Sequence, residues 1–187
     1  MRKVRSPEEI VEFLKERYKE NILSSEIKER IQGVSGVKLR DLWISVNREI
    51  LKDLVKTLHE EVDFLHVSVI TPIDMGDNIE VVYHFCVYYG IPSSECVVNI
   101  KITLPKDDLQ VPTITDIIPG ALFSELDMQD MMGIKVVGIP EEGPLFLPDE
   151  FPEEFYPWRK DEKGIDNYIN KDFIINNDSE GRKNGDI

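Results

Sequence analysis

Basic side chains are scarce in this 187-residue chain. It carries 22 Lys and Arg against 36 Asp and Glu, a net charge of −14. Nucleic acid and anionic lipid are therefore disfavoured as direct partners, because both are held by clustered cations. Cysteine is scarcer still. Cys86 and Cys96 are the only two, too few for a disulfide framework or a thiolate metal site, and they read as buried free thiols. Three histidines, His59, His66 and His84, do not signal the three or four converging ligands of a metal centre. No apolar run approaches the length of a transmembrane helix, so no direct membrane insertion is expected. No apolar stretch follows Met1–Ser6, so no secretory signal is expected either. Nucleotide-binding G-x-G-x-x-G and G-x-x-x-x-G-K-[ST] loops are absent, as is C-x-x-C. The expectation is a chain of the cytoplasm that holds no cofactor.

What remains is ordinary core-forming material, 41% hydrophobic residues, enough for one domain with extensions. Ser6-Pro7-Glu8-Glu9 has the pattern of a capping box with proline at the first helical position. Ile10, Phe13, Leu14 and Tyr18 follow at helical spacing, which predicts a helix over 7–20. Residues 22–32 and 37–46 read as two strands around Gly33–Gly36. The first is polar and suits a sheet edge. Asn47 is a candidate cap for a helix over 48–61, where Ile50, Leu51, Leu54, Val55, Leu58 and Val62 form one stripe. Strands are predicted from Phe64 to Thr71, Ile79 to Tyr89 and Cys96 to Leu104. The last two alternate apolar with polar residues, as in sheets wet on one face. The fold class expected is α+β: a largely antiparallel sheet of about five strands with helices packed on one face, over residues 1–138.

After Pro105 the pattern changes. Residues 113–133 read as a short helical region broken at Pro119-Gly120 and stopped by Gly133. Pro140, Pro144, Pro148, Pro152 and Pro157 then fall within eighteen residues, which excludes helix and central strand. Phe146, Phe151, Phe155, Tyr156 and Trp158 lie among them, too many aromatics for a disordered linker. Residues 139–175 are expected to form an extended strap on a surface, its own or a partner's, and 176–187 a frayed tail. Glu125, Asp127 and Asp130 invite one enzymatic hypothesis, a carboxylate pair for a hard cation or for acid–base work. No histidine, lysine or glycine-rich loop accompanies them, and a charged helix face is the simpler reading.

From Pro112 the residues become familiar. Pro112–Ala121, Glu125–Ile134, Gly138-Ile139-Pro140, Leu145–Phe151 and Pro157–Asp161 keep the order and spacing of a known pattern. They resemble the thirty-kilodalton subunit family of respiratory complex I. The family pattern runs P-S-V-x-D-[IL]-x-P-x-A, E-R-E-x-x-D-M-[FY]-G-I, G-H-P-D-x-R-R-[IL]-L-[LM]-P-[DE]-[DE]-[WF] and H-P-L-R-[KR]-D. The chain departs from it at Leu126, Asp127, Ile139, Gly143 and Pro144, where family members have basic groups or the second Glu. The stretch Leu145–Gly164 resembles the archaeal membrane-bound hydrogenase branch, and the loss of the paired arginines resembles its sulfur-reducing relative. The resemblance implies a non-catalytic assembly subunit of a membrane-anchored, ferredoxin-dependent redox complex. It would hold no cofactor and would pack on a large nickel–iron hydrogenase-like subunit and an iron–sulfur small subunit at the cytoplasmic side of the membrane, meeting ferredoxin only through other subunits. The thirty-kilodalton subunit of a quinone-reducing NADH dehydrogenase and a free-standing adaptor of the same fold are the alternatives. Interface residues are then expected at Glu125, Asp127, Asp130, Phe146, Pro148, Phe151, Phe155, Tyr156, Trp158 and Arg159, with Arg159 reaching a carboxylate on the large subunit.

Overall fold

The computed structural model describes residues 4–165, apart from 35, 63–64, 92–93, 142 and 149. The end of the expected strap, 166–175, and the expected tail, 176–187, lie outside the described residues. The elements are α1 (Pro7–Tyr18), β1 (Ile22–Gln32), β2 (Val37–Val46), α2 (Leu51–Glu61), β3 (His66–Asp74), β4 (Asn78–Val87), β5 (Cys96–Pro105), β6 (Gln110–Pro112), α3 (Leu122–Met132) and β7 (Lys135–Val137).

Each helix start has a local cause. Ser6 Oγ accepts the Glu9 N–H at 3.2 Å, and Glu9 Oε2 accepts the Ser6 N–H at 2.8 Å, so the capping box forms as expected. Asn47 does not cap α2 with its side chain. Its Nδ2 donates to Asn21 Oδ1 at 3.1 Å, and a 3-10 turn over Arg48–Ile50 leads into the helix instead. Tyr18 Oη lies 2.7 Å from both Asp53 Oδ2 and Thr57 Oγ1, which ties α1 to α2.

The sheet order is β1-β2-β5-β4-β3. Three of the pairings are antiparallel, and β2 with β5 is parallel, Asp41–Ser45 against Val97–Lys101. The sheet is therefore mixed, because α2 carries the chain across and the β3-β4-β5 meander returns beside β2. β1 is an edge, as its polar sequence implied. β3 is the other edge, which explains how Pro72 sits inside a strand. One face buries Ile44, Val81, Tyr83, Phe85, Ile100 and Ile102 with the helices in a single core. The opposite face carries the cross-strand row Glu26, Trp43, Asn99 and His84. There His84 Nδ1 and Asn99 Oδ1 are 2.6 Å apart, and the Trp43 and His84 rings meet edge to face at 6.2 Å.

Cys96 is buried and Cys86 half-buried, both free; burial pushes the Cys96 thiol up to about 11. Short elements escaped the sequence pattern. β6 and β7 pair in parallel around α3, and a 3-10 turn at Pro119–Ala121 replaces the first part of the expected helical region. No helix among the described residues is long and apolar enough to cross a membrane.

Candidate partner-binding surface

α3 organises the C-terminal third, and two of its acids hold backbone. Glu125 is wholly buried. Its Oε2 accepts the Thr113 hydroxyl at 2.6 Å and its Oε1 accepts the Ile114 N–H at 2.8 Å. These bonds fix the segment leading out of β6 against the helix. Burial raises the pKa of Glu125 against the pull of those two donors. Glu125 also raises that of Tyr83, after burial itself; the Tyr83 hydroxyl is buried and has no hydrogen-bond partner among the described residues. Glu125 thus works inside the chain, although the sequence put it with the interface acids. Asp127 and Asp130 lie on a different face, as their spacing required. Asp130 Oδ2 accepts the N–H groups of Leu145, Phe146 and Leu147 at 2.7, 2.8 and 3.4 Å.

That carboxylate is the first anchor of a strap that folds back on its own chain. The second anchor is the end of α3. Gly133 closes the helix with φ 71°, and a Cβ there would fall within the ring of Tyr156. The Trp158 N–H donates to the Met131 carbonyl at 3.0 Å and Arg159 Nη1 to that of Met132 at 3.4 Å. Both groups satisfy carbonyls that a helix end leaves without partners, and the guanidinium sits where the helix dipole favours a cation.

The third anchor is a buried charge cluster at the β3–β4 turn. The Asp74 side chain is fully buried. Its Oδ2 accepts from Lys106 Nζ and from the Lys160 N–H, each at 2.9 Å, and its Oδ1 accepts the Gly76 N–H at 2.9 Å. Asp161 Oδ2 accepts from Lys106 Nζ at 2.6 Å and from Arg159 Nε at 2.9 Å. Burial opposes both negative charges. For Asp74 the bonds from Lys160, Lys106 and Gly76 outweigh it, and for Asp161 those from Arg159, Lys106 and Lys163 do, so both carboxyls are held below the usual range. Sequence reasoning assigned Arg159 to a carboxylate on another subunit; in the structure its carboxylate is Asp161, two residues on. Neither Asp74 nor Lys106 stands out in the sequence, because their shared role depends on contacts distant in sequence.

The aromatics divide. Phe151, Phe155 and Tyr156 are half-buried, while Phe146 is 63% and Trp158 46% exposed. Pro148 is exposed as well. The anchors therefore hold a loop whose backbone is pinned and whose large apolar side chains are left partly outside. Among the described residues no group of three His, Cys, Asp or Glu side chains is gathered to hold a metal.

Residues 44–168 match the family described as respiratory-chain NADH dehydrogenase, 30 Kd subunit. The chain belongs to that family. Membrane-bound hydrogenase subunit beta of Pyrococcus furiosus is 33% identical over 153 residues, covering 79% of this chain and 88% of its own length. Formate hydrogenlyase subunit 5 of Escherichia coli is 30% identical over 136 residues, 70% of this chain; the match spans only 24% of that relative. In fold, the 30 Kd architecture recurs in a chain of the membrane-bound sulfane sulfur reductase, an archaeal respiratory membrane complex. It has a TM-score of 0.66 and 22% identity, and the match covers 96% of this chain and 95% of that one. The hydrogenase and hydrogenlyase relatives are named as subunits of larger assemblies, and the sulfane sulfur reductase chain shares the fold.

Proposed function

We propose that the chain is a non-catalytic assembly subunit of a membrane-anchored, ferredoxin-dependent redox complex of the hydrogenase or sulfur reductase type. It packs on the large nickel–iron hydrogenase-like subunit and the iron–sulfur small subunit, at the cytoplasmic side of the membrane. The observation that carries this is the strap: Phe146 and Trp158 stay exposed on a backbone pinned by Asp130, Met131 and Asp74. A loop already held in place loses little freedom when a partner covers it, and aromatic anchors of this kind dominate protein–protein affinity. The domain of residues 1–138 and the strap from 139 divide the work, body and docking arm. Pro148, Phe151, Phe155 and Tyr156 join Phe146 and Trp158 on the docking side. Ferredoxin reaches the complex through other subunits, because a net charge of −14 repels another acidic protein.

An affinity tag on this chain tests the reading. Membranes solubilised in mild detergent should yield the tagged chain with a cluster-bearing subunit and iron in the pooled complex. Recovery of the chain alone, as a monomer, would instead mean a free-standing adaptor. A ferredoxin cross-link falling mainly on this chain would contradict the indirect route for ferredoxin.

A further inference from the structure

Between Lys135 and Arg159 the sequence has six acidic residues and no Lys, Arg or His. In the fold this stretch runs back along α3 and leaves a groove of about 610 Å³. Asp130, Leu147, Phe151 and Phe155 line it, together with the exposed Glu153 and Glu154. Four acids of the described chain are buried: Asp41, Asp74, Glu125 and Asp130. Arg30 meets Asp41 at 2.7 Å, and Lys106 meets Asp74 at 2.9 Å. Glu125 is pushed toward its neutral form by burial. Asp130 is only 8% exposed, yet no cation reaches it among the described residues. Its Oδ2 takes three backbone donors, and among the described residues no donor is seen at its Oδ1. Asp127, one turn earlier, has no cation among them either; burial and the charge of Asp130 raise its pKa. Three backbone donors hold one oxygen of the Asp130 carboxylate, no cation among the described residues neutralises it, and the carboxylate lines a groove with apolar and aromatic walls.

We propose that this groove receives an arginine side chain from a partner subunit. The inference rests on the reading of the chain as a member of a complex. The guanidinium pairs with Asp130 Oδ1, the stem lies along Leu147 and the two Phe rings, and Glu153 and Glu154 draw the cation in. Arginine fits better than lysine, because its flat guanidinium stacks on rings and bonds carboxylates in a fork, where lysine offers a strongly hydrated point charge. The acidity of the strap then serves to select a basic partner face and to speed its approach.

Asp130→Asn in the full chain separates this role from the internal one, because Asn Oδ1 can still accept the Leu145–Leu147 N–H groups. The isolated variant should melt close to the wild-type temperature, since an acceptor for those three groups remains. Its retention on the solubilised complex should fall about tenfold or more and lose part of its salt dependence. A photo-crosslinker at Leu147 should capture a partner peptide containing arginine. A captured peptide without arginine overturns the proposal. So does an Asp130→Asn chain that melts lower yet stays on the complex, which would make Asp130 an internal anchor only. Magnesium chloride alone raising the melting temperature of the wild type but not of the variant also overturns it, in favour of an inorganic cation. A wild-type chain that co-purifies with no other subunit overturns both this proposal and the assembly role; undiminished retention of the variant in an intact complex overturns the groove alone.

Discussion

Phe85 and Tyr83 in β4 are sealed under the helices with no exposed surface. In the strap, by contrast, Arg159 and Gly164 are the only buried residues among those described from 139 to 165. The body is held by apolar area, at roughly 25 cal/mol per Å² removed from water. The strap is held by polar anchors: three N–H groups on Asp130, one on the Met131 carbonyl, and the Asp74–Lys106–Asp161–Arg159 cluster. The difference teaches where the aromatic side chains of the strap are free to act. Polar anchors fix its path without using the rings of Phe146 and Trp158, which stay exposed for a second surface. It also means that the two regions answer to different variables, the body to volume and the strap to charge.

The largest expected effect is in the body. Phe85→Ala should cost about 4 kcal/mol through lost transfer energy and the cavity left behind, read from urea unfolding of the full chain. Asp74→Ala should follow at about 3 kcal/mol, because it removes one of the two carboxylates around Lys106 and leaves the Lys160 N–H without its buried acceptor. Far-UV circular dichroism should show the sheet intact in that variant while limited proteolysis cuts the strap. An Asp74→Ala chain that loses its sheet would erase the distinction between body and strap.

Acid should come next. Asp74 and Asp161 have pKa values lowered by folding. Their contribution is complete above the unfolded value of about 4 and is lost as pH falls through the folded values. Glu125 has the opposite sign: its folded pKa is raised, so its contribution is present below about 4.3 and is lost as pH rises through the folded value. Trp158 fluorescence in a Trp43→Phe background should therefore report a strap that loosens progressively as pH falls from about 4 through the folded values, with Glu125→Gln leaving that transition in place. A strap that stays docked there would show that its anchors are not electrostatic. The smallest effect on stability belongs to Phe146→Ala, at about 0.5 kcal/mol or less, although the same change should weaken retention on the complex. A Phe146→Ala chain that unfolds easily would make that ring part of the body.

The body was legible where its signals are local. Ser6 and Glu9 specify the capping box from four consecutive residues, the stripe of α2 follows from its 3.6 period, and β4 and β5 follow from their alternation. The insertion of β5 between β2 and β4 was not legible, since both of its neighbours present similar apolar faces. β6 and β7, with three residues each, are too short to show a period. In the candidate surface, composition revealed the strap, and its prolines excluded regular structure. Its anchors were hidden, because an isolated Asp such as Asp74 reads as a turn former. It does bond Gly76 locally, and only the three-dimensional approach of Lys106 and Lys160 gives its other oxygen a role. Glu125 misled for the same reason: a carboxylate spaced like a surface acid proved to be an internal acceptor for Thr113 and Ile114.

The position of β5 also bears on the order of events as the chain leaves the ribosome. β1 and β2 can zip into a hairpin early, but β2 has no second neighbour until β5, which begins only at Cys96. The β3-β4-β5 meander closes through short loops and can form first as a unit. Capturing the waiting hairpin then requires the parallel, long-range pairing of Trp43 with Asn99, the slow kind of contact. Until that moment the inner edge of β2, from Asp41 to Ser45, stays unpaired. A nascent chain stalled before Cys96 is thus the form of this protein most exposed to wrong association, and the one a chaperone would be expected to hold.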